Sequence, residues 1–477
     1  MKKSIILLGV FALLISCTAD ITGLNVNTKE PTKVPSAFLF SNAEKAMVDQ
    51  MVSTSVNFNV FRLFTQQWTE TTYTDESNYD VATRTIPDNH WRVLYRDVLK
   101  DLVESKKVLQ SEPAAGADEL GAKANKEAII DILIAYNYSI LVDTFGNVPY
   151  SQALDVEVNP TPSYDDAETI YKDLISKLTV ASSTLDAGYT SFEDADIIYG
   201  GDAASWKKFA NSLRLKLAIN MDDVDHTYAS AEALAAVTDG VFTSASDNAA
   251  LKYLSAQPNT NPIYVDVIAS GRNDFVPADT FVNAMNALND PRRDSYFTQK
   301  SGGFIGGVNG SNNTFANFSH IGPTLLDPTF EGLIMDYTEI EFLLAEAVER
   351  GIAVGGTAED HYNAGITASF AYWNAPGVAA YLAQPSVAYA TAGSSWKEKI
   401  GNQAWLALYN RGFESWTSYR RLDFPVLTAP SQAALTEVPK RFTYPANEET
   451  LNGSNASAAS AAIGGNTLTT KLFWDKF

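Results

Sequence analysis

The chain has 477 residues, with 35 Lys and Arg against 56 Asp and Glu, a formal charge of −21 at pH 7, and 45% hydrophobic residues. That length can bury a sizeable core, and 28 Gly with 19 Pro is far below the share that marks low-complexity chains. So acidic a protein lacks the positive field that binding phosphates requires, which argues against nucleic acid and anionic lipid surfaces and leaves ligands that are neutral, cationic or recognised by shape.

At the start, Lys2 and Lys3 precede an apolar run from Ile5 to Ile15. It is too short for the ~20 residues of a spanning helix and suits the apolar core of a signal peptide. The run closes on Leu14-Ile15-Ser16-Cys17, which resembles a bacterial lipobox. Cys17 is the one cysteine, so no intramolecular disulfide or multi-cysteine metal cluster can form. The expected organisation is a signal peptide over 1–16, a lipidated N-terminus and tether over 17–35, and a single binding domain over 36–477. Two or more acyl chains, palmitate among them, make a stable anchor where one is marginal.

From Ser36 the dominant period is helical, and Ser36 can cap a helix running to about Val52. A segment from Val60 to Trp68 leads into the polar stretch Thr69 to Pro87, read as a loop or small hairpin. Leu94, Val98, Leu102 and Leu109 share one face of a helix from about His90 to Leu109. Ile129, Leu133, Tyr136 and Ile140 do the same from Ala122 to Asp143. Asp165 with Glu168 resembles a capping box before the stripe Ile170, Leu174, Leu178, Ala181 and Leu185, with Gly188 as the stop. Asp202 opens a helix carrying Trp206, Phe209, Leu213 and Leu217. Tyr337, Ile340, Leu344 and Ala347 form another stripe, Thr357 starts a helix that must end near Pro376, and Ser454 to Ile463 suggests a short one. Such pairs predict a mostly α fold of tetratricopeptide-like units without a clean 34-residue repeat. The irregular segments Ser255 to Pro277, Lys300 to Pro328 and Leu422 to Glu449 are long enough to be functional insertions on that frame.

Catalytic signatures are sparse. His90, His226, His320 and His361 do not have zinc-helix spacing. Gly302, Gly303, Gly306, Gly307 and Gly310 lack the lysine of a phosphate loop and read as a mobile segment. Acid pairs such as Asp165/Asp166 and Asp222/Asp223 could in principle serve a glycosidase, but among 56 acids they are not diagnostic. Loop aromatics are the better clue, because an aromatic face stacks on a sugar ring or peptide while polar neighbours satisfy its hydroxyls or amides. The candidate ligand-binding residues are Trp68, Tyr73, Asp75, Asn78 and Tyr79, with Phe304, Asn309 and Phe315. No catalytic residue, metal or cofactor is expected.

Several segments together resemble the SusD/RagB family of outer-membrane nutrient-binding lipoproteins, in its SusD-like branch from Bacteroidetes-type bacteria. They are Leu24 to Asn27, Asp143 to Tyr150, Trp206 to Leu217, Ser270 to Phe275, Asp290 to Arg293, Glu341 to Ala347, Trp405 to Arg421 and Tyr444 to Glu448. Their order over nearly the whole chain is more specific than any one of them. The resemblance implies a superhelical frame of helix pairs with few short strands. It also implies lipid anchoring to the outer membrane facing outward, and a role as lid of a SusC-like TonB-dependent transporter importing oligosaccharides or peptides. Of the binding positions, only the loop Trp68 to Arg84 carries over. The rival readings are a surface glycosidase or peptidase and a repeat scaffold that binds only proteins.

Overall fold

Helix starts follow the side chains available to cap them. In the computed structural model, which describes residues 34–477, Asp202 accepts from the Ser205 amide to open the helix Ala203–Met221. Thr357 and Asp360 close a reciprocal capping box before Ala358–Tyr372. The expected box at Asp165 is corrected. Asp166 caps Ala167–Thr184 through the Thr169 amide, while Asp165 pairs with Val148 in a short ladder and accepts the Tyr150 and Ser151 amides. The signal peptide, the Cys17 lipidation site and nearly all of the tether lie outside the described residues.

The helices pack in pairs: Ser36–Val52 with Lys100–Ser111, Gly116–Phe145 with Ala167–Thr184, Ala203–Met221 with His226–Asp239, Tyr337–Glu349 with Ala358–Tyr372, and Trp396–Ala407 with Gly412–Leu422. The fold is therefore mostly α and tetratricopeptide-like, with three two-stranded sheets among the described residues. The helix Gly116–Phe145 is long and apolar enough to cross a membrane, but its apolar window is enclosed by the neighbouring helices and serves as core. The predicted His90–Leu109 helix is longer and contains a π-helical stretch, Val93–Leu99, between Ile86–Arg92 and Lys100–Ser111. Within the expected loop 255–277 lie a second π-helix, Tyr264–Ala269, and a strand, Phe275–Pro277.

Trp405 to Arg421 builds the centre of the frame. Phe61 stacks on Trp416 with ring centroids 5.1 Å apart, and the Arg420 guanidinium lies 3.4 Å from the Trp416 ring centre. Arg420 donates to the carbonyls of Asp143 and Lys440, and Arg421 pairs with Glu346. Arg411 bridges Asp336 at 2.7 Å and Glu339 at 2.6 Å, and Lys216 reaches Glu339 at 2.8 Å. Such buried pairs are costly to break, at ~3–5 kcal/mol when one partner is removed. They fix the helices on which the irregular segments are mounted.

Candidate functional site

The segment entering the predicted loop is clamped to this frame. Gln67 donates to the carbonyls of Trp405 and Leu408 and to Ser415, and the Trp405 indole donates to the Thr65 carbonyl at 2.8 Å. Trp68 is 1% exposed, and its indole N–H donates to the Tyr409 hydroxyl at 3.0 Å. Trp68–Glu70 then pairs antiparallel with Phe275–Pro277, Trp68 facing Pro277 and Glu70 facing Phe275. This is a long-range ladder and not a local hairpin; beyond it residues 71–85 run as a loop, the other reading of this stretch.

Two loops far apart in the chain meet on that ladder. Asn78 Nδ2 donates to the Gly310 carbonyl at 2.7 Å, and the Gly310 amide donates to Thr69 Oγ1 at 3.1 Å. Asn313 is the clasp. Its amide N–H donates to the Thr71 carbonyl at 2.8 Å. Its side-chain Nδ2 reaches the carbonyls of Glu70, Val308 and Ser311, and its Oδ1 accepts from the Val308 amide. The glycines make this approach feasible. A Cβ on Gly307 would lie 2.6 Å from Val276, and one on Gly310, at φ +72°, 2.5 Å from Pro430. Gly306, Gly307 and Gly310 are thus packing positions in a tied loop, which corrects the mobile reading for these three, whereas a Cβ on Gly302 or Gly303 would meet nothing within 4 Å.

Tyr73 stands out from this surface. It is 71% exposed and holds a left-handed backbone at φ +54°. Non-glycine residues avoid that region unless their surroundings impose it, and such positions cluster at functional sites. Arg272, bound to Asp274 at 2.6 Å, lies within electrostatic reach of Tyr73. Asp75 is exposed. The loop following Gly303 and the neighbouring segment at Leu427 present apolar side chains, Ile305 (43% exposed), Val308 (52%) and Val426 (79%).

The other sequence candidates sit elsewhere. Trp68 and Tyr79 are core residues, which corrects their reading as a stacking platform: one donates to Tyr409, and the other takes a bond from Gln66 at 2.9 Å. Burial pushes the Tyr79 hydroxyl up to about 12. Phe304 is half-buried with the Arg293 guanidinium 5.3 Å from its ring centre. Phe315 is half-buried and stacks on His320 at 3.8 Å. Asn309 donates its backbone N–H to Asp279, and its side-chain amide is buried without a partner. The structure therefore joins Asn78 to Gly310, with Tyr73 and Asp75 exposed on the same loop, while Phe304 and Phe315 make their aromatic contacts on other partners.

Sequence reasoning missed Asn313 and the acid pair below the loop. Glu70 and Glu76 are 3% and 0% exposed, with their carboxyls within hydrogen-bond reach of each other. Glu70 accepts from the Ser77 amide at 2.9 Å, and Glu76 pairs with Arg84. Burial, then Glu76, pushes the Glu70 carboxyl up to about 9, so at neutral pH it carries a proton. Glu70 was legible only as one acid among many. Among the described residues, no three His, Cys, Asp or Glu side chains converge as a metal site. Burial drives His90 down to about 3, leaving it neutral in the core.

Residues 28–445 match the family model SusD-like_2, described as "Starch-binding associating with outer membrane". Among solved structures, a chitin-binding protein is 27% identical, with 93% of this chain and 100% of that one covered at a TM-score of 0.78. A SusD homologue from Bacteroides uniformis is 26% identical over 92% and 100% with a TM-score of 0.79. A chitin-binding SusD homologue from Flavobacterium johnsoniae is 25% identical over 92% and 98% with a TM-score of 0.76. A comparison with curated proteins finds no match.

Proposed function

The chain belongs to the SusD-like family, and from that premise we propose that it captures neutral oligosaccharides at the Tyr73 surface and delivers them to a SusC-like TonB-dependent transporter. The observation that carries this reading is the joining of the 68–84 and 304–315 loops beneath one exposed, backbone-strained tyrosine. A fixed aromatic face rimmed by hydrogen-bonding groups is what a sugar ring needs, and holding the loop in advance avoids ordering it on binding. The chitin-binding names of two structural neighbours and the starch-binding description of the family support a glycan over a peptide.

Binding without catalysis is the favoured role. The loop's buried carboxyl pair, Glu70 and Glu76, lies within hydrogen-bond reach of each other, whereas glycoside cleavage needs two carboxyls ~5–9.5 Å apart flanking the bond. Anchoring through acyl chains on Cys17, with the domain outside the outer membrane, provides no pore. A transporter must therefore take the ligand, and the exposed Ile305, Val308 and Val426 supply apolar surface for docking beside the site. Calorimetric titration with chitin- and starch-derived oligosaccharides tests the reading: binding that weakens in Tyr73→Ala with no new reducing ends supports it. Release of cleaved products, or binding indifferent to Tyr73, would overturn it.

A further inference from the structure

The turn 270–274 carries a polar pair beside Tyr73. The ladder of Trp68–Glu70 with Phe275–Pro277 continues past its last pair, Glu70 opposite Phe275. The Thr71 amide donates to the Asp274 carbonyl at 2.8 Å, and Thr71 Oγ1 to the Asn273 carbonyl at 2.6 Å. Followed in the same register, Tyr73 and Arg272 come opposite each other at the end of the ladder, and residues opposite each other on antiparallel strands are neighbours. Arg272 accordingly lies within electrostatic reach of Tyr73.

Arg272 and Asp274 are held as a unit. Arg272 Nε donates to Asp274 Oδ2 at 2.6 Å, with 62% and 31% of the two side chains exposed. The Arg272 amide donates to Ser270 Oγ at 3.2 Å, and Ser270 Oγ donates to the Asp266 carbonyl at 2.5 Å. The turn is thus fastened on one side to Thr71 and on the other to the π-helix Tyr264–Ala269. The Nε contact leaves both terminal guanidinium nitrogens and Asp274 Oδ1 without a protein partner among the described residues. A hydroxyl both donates and accepts, so adjacent substituents on a sugar ring call for a donor and an acceptor side by side. This pair offers both, and its charges cancel.

We propose, resting on the glycan reading above, that Arg272 and Asp274 contact the sugar ring that stacks on Tyr73 and select neutral glycans over acidic ones. The terminal nitrogens of Arg272 donate to one ring substituent, and Asp274 accepts from its neighbour. Two hydroxyls, or a hydroxyl beside an acetamido N–H, satisfy this pairing. A sugar carboxylate does not. Arg272 alone would draw it, because guanidinium and carboxylate bind strongly. Asp274 sets a like charge against it, as do Asp75, exposed on the Tyr73 loop, and the chain's formal charge of −21.

The test is calorimetry on the full chain with maltohexaose and chitohexaose as neutral probes and hexagalacturonic acid as the acidic one. Wild type should bind at least one neutral hexamer, and the acidic one about tenfold more weakly or worse. Arg272→Met should weaken the neutral hexamer by about tenfold or more, the loss of charge-assisted hydrogen bonds. Arg272→Lys lacks the planar fork and should recover little of it. Asp274→Asn gives the readout that a merely structural role would not move: neutral binding falls several-fold while binding of the acidic hexamer rises. Thermal melts establish that each variant is folded. Wild-type affinity for the neutral hexamer in both Arg272→Met and Asp274→Asn, with Tyr73→Ala weakened, would overturn this assignment and leave the Tyr73 site standing. An unchanged ratio of neutral to acidic affinity in Asp274→Asn would overturn the selection by charge. A wild type that binds neither neutral hexamer would overturn both the assignment and the reading on which it rests.

Discussion

Replacing Asn313 with alanine removes the clasp between the two loops. Its side chain, 5% exposed, makes four hydrogen bonds: Nδ2 to the carbonyls of Ser311 (2.7 Å), Val308 (3.0 Å) and Glu70 (3.1 Å), and Oδ1 from the Val308 amide (2.8 Å). Nδ2 has two protons for three acceptors, so its share is about two full bonds, and Oδ1 supplies a third. Each is worth ~1 kcal/mol, and a buried donor left unpaired, such as the Val308 amide, costs ~1–3 kcal/mol. Three bonds come to ~3 kcal/mol and the unpaired amide adds to that, so the expected loss is at least ~3 kcal/mol in unfolding free energy, read by urea denaturation. Oligosaccharide affinity should fall with it, because the loop carrying Tyr73 is no longer held. Asn313→Asp should not rescue, since its carboxylate would face three carbonyl oxygens. A variant within ~0.5 kcal/mol of wild type that binds sugar unchanged would refute the claim that this clasp organises the surface.

The burial contrast predicts a split between two aromatics: Trp68→Ala should destabilise the fold by ~3–5 kcal/mol, whereas Tyr73→Ala should leave the thermal midpoint in place and lose ~0.5–1.5 kcal/mol of binding. The acid pair predicts a pH effect of definite sign. Glu70 is raised from 4.5 to about 9 on folding, so the folded chain holds that proton more tightly. Its stabilising contribution is full below the unfolded value and is lost as pH rises toward about 9. Glu70→Gln, whose amide replaces the proton, should flatten that decline in thermal melts from acidic to alkaline pH, and an unchanged slope would remove the shared-proton account. Cys17→Ala should abolish incorporation of radiolabelled lipid; equal incorporation would exclude Cys17 as the anchor.

The frame was legible because helices announce themselves locally. Ser36, Asp202 and Thr357 each marked a helix start that the structure keeps, and the apolar stripes are core. The site was less legible. Trp68 and Tyr79 lie in a polar segment, so nothing local told that a ladder to Phe275–Pro277 and the Tyr409 hydroxyl would draw them inside. Asn313 has no local signature either, since its partners include Glu70 and Thr71, far back in the chain. The glycines of 306–310 hinted at close approach, but flexibility and close approach use the same residue. Which one applies depends on the chain opposite, here Val276, Asp279 and Pro430.

The most direct measurement is a crystal structure of the chain with a bound neutral oligosaccharide. The account predicts a sugar ring against the face of Tyr73, with hydroxyls reaching the joined loops at 72–78 and 308–312 and both loops unmoved. Density for the sugar elsewhere on the frame, with Tyr73 free in solvent, would contradict it.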